Sequence, residues 1–208
     1  METESLFRSV VPLLIVAFAL HRGYYVRKQG QEENTLKKRE EGLASRIAGL
    51  LGLIGFIAVA VYVVRPGWLT WAALSLPLWL RWLGLGIAVF GFALLQWAQN
   101  TLGKNWSDTP RMIREQSLVT NGPYRYVRHP IYTAFILILG STLLSSSNGL
   151  IGLAWLGMTI LEVASRIGFE ENLMLEYFGD QYQNYRKQTG QLFPRLSGRG
   201  NPAKRPVF

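Results

Sequence analysis

The chain has 208 residues, enough for one domain with a sizeable core. Hydrophobic residues make up 49% and charged ones only 17%, below the ~25% of soluble domains, which argues against an ordinary soluble protein. With no cysteine and only two histidines, His21 and His129, the sequence excludes disulfides, thiolate metal sites and cysteine nucleophiles, and argues against a histidine-rich metal centre.

Five apolar runs follow one another: Leu6–Tyr25, Ile47–Val64, Trp82–Trp97, Ile131–Leu144 and Leu150–Val163. Each is long or nearly long enough to cross a ~30 Å hydrocarbon core as a helix. The first opens on the acidic Met1-Glu2-Thr3-Glu4 and is followed by no small-residue cleavage site, so it reads as a retained helix, not a signal peptide. Arg27–Arg46 mixes both signs of charge and reads as a solvated helix or loop. Gly67–Leu80, preceded by Pro66 and carrying Pro77 and three tryptophans, is too irregular for a span and suits the membrane interface. Asn100–Arg128 is a long polar connection in which Asn121-Gly122-Pro123 supplies turn chemistry. Ser145–Gly149 is a tight turn that makes a hairpin of the last two spans. Beyond them, Phe169–Gln188 mixes aromatic and charged residues as an interfacial helix does, with Gly179 able to bend it. The expected fold is therefore all-α: a polytopic bundle of about five transmembrane helices plus a C-terminal amphipathic helix. Residues 1–80 hold the N-terminal spans, 81–195 the functional core and 196–208 a basic tail.

The net charge of +9 raises the question of nucleic acid. Its placement answers differently. With the N-terminus outside, Arg27, Lys28, Lys37, Lys38, Arg39 and Arg46, then Lys104, Arg111, Arg114, Arg125 and Arg128, fall on cytoplasmic segments, whereas the outside keeps Arg8, Arg65 and Arg81. That is the positive-inside bias of five spans with a cytoplasmic C-terminus. The basicity sets topology and favours membrane lipids with anionic headgroups; nucleic acid is not an expected partner.

Two polar clusters bracket the last hairpin. Arg128-His129-Pro130-Ile131-Tyr132 precedes the fourth run, where Pro130 costs no helical hydrogen bond and holds His129 extended. Glu162, Arg166 and Glu170, spaced i, i+4, i+8, line one face of the fifth run, with Glu171 beside them. Glu162 lies inside the apolar stretch, where a carboxylate needs a partner, and Arg166 is one turn away. The ladder alone reads equally as a structural Glu–Arg–Glu stack or as a ligand site. A polar ligand held at the membrane surface explains both clusters together.

Leu118-Val119-Thr120-x-Gly122-Pro123-Tyr124, Arg128-His129-Pro130-x-Tyr132, Glu170-Glu171 and Phe178-Gly179-x-x-Tyr182-x-x-Tyr185 occur in order, and in this the chain resembles the membrane-embedded isoprenylcysteine carboxyl methyltransferases and the related phospholipid N-methyltransferases. The resemblance covers about residues 80–195. It implies S-adenosyl-L-methionine as methyl donor, bound at the cytoplasmic ends of the last helices. By the same resemblance Gln116, Ser117, Leu118 and Val119 form one wall of the pocket with Tyr124 nearby, and His129, Pro130, Ile131 and Tyr132 form another. Glu170 binds the cofactor, Glu171 completes the pair, and Arg166 contacts substrate. Independently of the resemblance, an amine or thiol acceptor would need deprotonation, which makes Glu162 or Glu170 a candidate base. Gln116 stands where eukaryotic members have histidine, and Ala134 where many have glycine. No metal is implied. The expected reaction is O-methylation of a prenylated or otherwise hydrophobic acceptor, an isoprenylcysteine-type carboxylate. Methylation of a phospholipid amine or a small thiol, an NADPH-dependent reductase of the sterol-reductase type, and a non-catalytic membrane protein are the alternatives.

Overall fold

Inside hydrocarbon, backbone N–H and C=O groups must be satisfied within their own segment, so each apolar run closes into a helix. The computed structural model describes residues 2–29, 35–38, 42–105, 111–113 and 117–195. The helices are α1 (Glu2–Gln29), α2 (Leu43–Val64), α3 (Leu78–Leu102), α4 (Pro130–Ser146), α5 (Gly149–Phe178) and α6 (Asp180–Gln188). All but α4 and α6 have the length and composition of membrane spans. At 17 residues, α4 rises only about 25 Å.

α3 lies along α4, α2 along α5, and α4 against α5, with α1 closing the bundle against α4 and α2. The shared core includes Val11, Ile15, Leu95, Ile138, Leu139 and Trp155. Large apolar side chains such as Leu50, Leu53, Val64, Val89 and Phe90 remain exposed on the outer faces. That belt suits lipid, not water.

The hairpin forms where expected. Ser147 takes a left-handed conformation (φ 52°), and the Asn148 side chain caps α5 by accepting from the Ile151 amide at 3.2 Å. Asn148 Nδ2 also donates to the Leu69 carbonyl at 3.1 Å, tying the hairpin tip to a 3₁₀ turn at Pro66–Ala72. Trp68 and Trp71 lie in that turn and are exposed, as the irregular, tryptophan-rich segment predicts.

Two expectations change. Helix α5 does not stop near Val163 but runs to Phe178, so Phe169–Phe178 continues the span and only α6 is separate. The polar residues from Arg166 onward signal departure from hydrocarbon, not the end of the helix; the break comes at Gly179, whose φ of 51° favours glycine. The charged connection after α1 is partly a strand: β1 (Thr35–Lys38) pairs antiparallel with β2 (Arg111–Ile113) as a small ribbon beside the bundle. The expected basic tail, 196–208, lies outside the described residues.

Candidate functional site

Pro130 occupies the first turn of α4, and His129 just before it is extended in φ (−124°). Its ψ of 60° departs from the fully extended conformation expected before proline, and its ring stacks on Tyr132 with centroids 5.7 Å apart. Across from it, α5 presents Glu170 and Glu171. His129 Nδ1 lies 3.5 Å from Glu170 Oε2, and Nε2 lies 3.4 Å from Glu171 Oε1. Tyr132 Oη donates to Glu170 Oε1. Burial alone would push the imidazole down, but the two flanking carboxylates more than offset it and hold His129 above its ordinary value.

The adjacent carboxylates have different surroundings. Glu171 is saturated: Arg128 donates to Oε1 through Nε (2.9 Å) and Nη2 (2.7 Å), Gln191 Nε2 donates to Oε1 at 3.2 Å, and Arg186 Nε lies 3.3 Å from Oε2. The Arg128 and Glu171 side chains are each 7% exposed, so the pair is desolvated. The same arginine donates to the carbonyl of Thr189. Next to it, the Arg128 amide donates to Gly190 O (2.8 Å), the His129 amide to Gln191 O (3.1 Å), and Thr133 Oγ1 to Leu192 O (2.8 Å). A strap after α6 is thereby laid along the His129 turn. Tyr185 Oη completes it by donating to Tyr124 O at 2.6 Å.

Glu170 instead has only Tyr132 and His129 among its described partners. Tyr124 is buried, which raises its phenol well above the usual value, and its hydroxyl has no hydrogen-bond partner. Burial likewise raises Tyr182 and Tyr185. Ser117 is exposed and held by Asn105, whose Oδ1 accepts from the Ser117 amide at 2.9 Å. Leu118 and Val119 are half-buried, Pro130 is buried, and Ile131 is half-buried against the core. Gln116 and Trp106 lie outside the described residues.

One turn deeper, Arg166 Nε pairs with Glu162 Oε2 at 2.7 Å, as the i, i+4 spacing predicts. Both side chains, with Tyr132 and Arg22, form the polar end of a cavity of about 530 Å³ between α1, α2, α4 and α5. The rest of its wall is apolar and includes Phe18, Phe135, Leu139 and Trp155. Arg22, whose guanidinium lies 5.7 Å from the Phe135 ring centroid, was not among the residues singled out from sequence. Its only signal was a cation shortly before Arg27 and Lys28, at the polar end of the first span.

The structure therefore brings His129, Tyr132 and Glu170 together, sets Glu162 and Arg166 beside them, and commits Glu171 to Arg128. Fold and site define a polytopic helical membrane protein with a polar centre at one end, opening on an apolar cavity. The model of the isoprenylcysteine carboxyl methyltransferase (ICMT) family matches residues 82–176. A protein-S-isoprenylcysteine O-methyltransferase B of Arabidopsis thaliana is 26% identical over 90% of this chain and 94% of its own length. The enzyme of Dictyostelium discoideum is 30% identical over 62% of this chain and 56% of its own. A solved structure of the eukaryotic intramembrane Ras methyltransferase ICMT, without a monobody, superposes with a TM-score of 0.52 at 24% identity, covering 75% of this chain and 52% of that one. Apart from the Arabidopsis protein, the chain spans about half the length of these relatives. The chain is thus similar to the isoprenylcysteine carboxyl methyltransferase family over residues 82–176, a stretch that contains His129, Arg166 and Glu170.

Proposed function

We propose that this protein is an S-adenosylmethionine-dependent membrane methyltransferase acting on a hydrophobic acceptor, an isoprenylcysteine-type carboxylate. The observation that carries the reading is Tyr132: its hydroxyl donates to Glu170 in the polar centre while its ring lines the apolar cavity. A water-soluble donor and a lipid-soluble acceptor need two such compartments sharing a wall.

The residues present fit the donor on one observation: the buried hydroxyl of Tyr124 has no hydrogen-bond partner, a polar group left for a ligand to satisfy. His129, Tyr124 and Glu170 would hold it, with Ser117, Leu118 and Val119 as the loop wall. When bound, S-adenosylmethionine supplies a methyl group already activated on sulfonium sulfur. An acceptor carboxylate is ionised at neutral pH and needs no general base; its oxygen takes the methyl as the carbon–sulfur bond breaks. What remains for the protein is alignment at ~3–3.5 Å. Arg166, steadied by Glu162, orients the carboxylate, since a guanidinium can hold it through two hydrogen bonds. Glu171 acts through Arg128 and the strap to position the His129 turn. The positive-inside bias of the loops supports a cytoplasmic side for this centre. The family match favours methyl transfer over the reductase alternative.

The test is transfer of labelled methyl from S-adenosylmethionine to N-acetyl-S-farnesylcysteine by the protein in liposomes. Label in the ester, lost in Arg166→Ala, is expected. Transfer only to a phospholipid amine or a small thiol would overturn the carboxylate assignment, and binding of NADPH without transfer would overturn the methyltransferase reading.

A further inference from the structure

The cavity has a floor as well as a polar end. Following each helix away from the Arg166 end, its lining runs from Val26 to Ile15 on α1, Ala48 to Phe56 on α2, Tyr132 to Leu139 on α4 and Arg166 to Trp155 on α5. Ile15, Leu139 and Trp155 are 3%, 1% and 3% exposed, so on α1, α4 and α5 the cavity ends against packed core, while Phe56 on α2 faces outward at 53% exposed. Trp155 is the largest of the three. Its ring meets Phe56 edge to face, with centroids 4.8 Å apart, and lies flush on α2 at Gly55. A Cβ at Gly55 would stand 3.0 Å from both Cε2 and Nε1 of the indole, so only glycine lets the ring lie that close to α2. Trp155 and Arg166 are eleven residues apart on one continuous helix, about 16 Å at 1.5 Å per residue. That is roughly one leaflet of a ~30 Å hydrocarbon core.

We propose that Trp155, seated on Gly55, is the stop that sets which tail lengths the cavity accepts: a single unbranching-path isoprenoid chain reaching from the carboxylate at Arg166 to the indole. The proposal rests on the methyltransferase reading of the site. Removing the indole deepens the cavity toward the core; adding a methyl at Gly55 lifts the ring off α2 and shortens it. Neither residue touches the His129–Glu170 centre, so the effect is on acceptor choice, not on the donor.

The experiment compares kcat/KM for N-acetyl-S-geranyl-, S-farnesyl- and S-geranylgeranylcysteine in the wild type, Trp155→Ala and Gly55→Ala, with S-adenosylhomocysteine affinity measured alongside. Trp155→Ala is expected to shift preference toward the longest tail by about 10-fold or more, the scale on which an apolar pocket discriminates chain length. Gly55→Ala is expected to shift it toward the shortest, both with unchanged S-adenosylhomocysteine affinity. Should Trp155→Ala not fold, Gly55→Ala, a one-methyl change, decides alone. A wild type that methylates none of the three overturns the reading of the site. A wild type that is active, with variants keeping its length profile, overturns the stop and leaves that reading standing.

Discussion

The two ends of the bundle carry similar side chains in different settings. At the end where α1 begins, Arg81 pairs with Glu4, donates from Nε to the Ser145 carbonyl at 3.2 Å, and lies 4.1 Å over the Phe7 ring. Tyr62 Oη caps the neighbouring Ser146 carbonyl at 3.1 Å. These bonds join α1, α2 and α3 to the hairpin tip. At the other end, Arg166 and Glu162 also make a close pair, but they border a cavity, and Glu170 beside them is bonded to a tyrosine that lines it. A buried ion pair is weak evidence for either stability or function by itself. What separates the two ends is whether the pair borders a space that a ligand can enter.

Breaking the saturated part of the functional end has the largest expected effect. Arg128→Ala leaves Glu171 buried without its main partner, at a cost of about 3–5 kcal/mol, and releases the strap. A large drop in thermal unfolding temperature in detergent checks this; an unchanged midpoint would remove Arg128 from the scaffold. Glu170→Ala, by contrast, leaves the scaffold bonds in place and removes a charged acceptor from the donor site. It is expected to weaken S-adenosylhomocysteine binding about 10–100-fold, the worth of a hydrogen bond to a charged group, with a smaller fall in unfolding temperature than Arg128→Ala, because Tyr132 and His129 lose only one partner.

Arg81→Leu probes the opposite end. It should lower stability by about 1–3 kcal/mol, because the Ser145 carbonyl loses its donor, while methyl transfer per folded molecule is unchanged. Lost turnover at wild-type stability would erase the distinction between the two ends. The smallest effect is on pH dependence. Because His129 is raised in the folded protein, its contribution to stability is fully present below its ordinary value of 6.5 and is lost as pH rises through the raised value. Unfolding temperatures across that window should fall with pH in the wild type more than in His129→Gln.

The spans and the i, i+4 pair were legible because each is a local pattern: apolar length for the helices, helical spacing for Glu162 and Arg166. The length of α5 was not, since the polar residues after Val163 mark where hydrocarbon ends while the helix continues to Gly179. β1 was hidden in a charged run whose partner, Arg111–Ile113, lies across two spans. The division of labour between Glu170 and Glu171 was equally out of reach. Adjacent in sequence, they differ because Arg128 and Gln191, contributed from opposite sides of α5 in the chain, both close on Glu171. Trp155 read only as one more apolar residue; its place on the cavity floor depends on Gly55 of another helix.

The most direct measurement is calorimetric titration of the detergent-purified wild type, Glu170→Ala and Arg166→Ala with S-adenosylhomocysteine. Micromolar binding by the wild type, weakened in Glu170→Ala and near normal in an Arg166→Ala variant that no longer turns over, would assign the donor to one compartment and the acceptor to the other. Binding that is absent in the wild type, or indifferent to Glu170, would contradict the account.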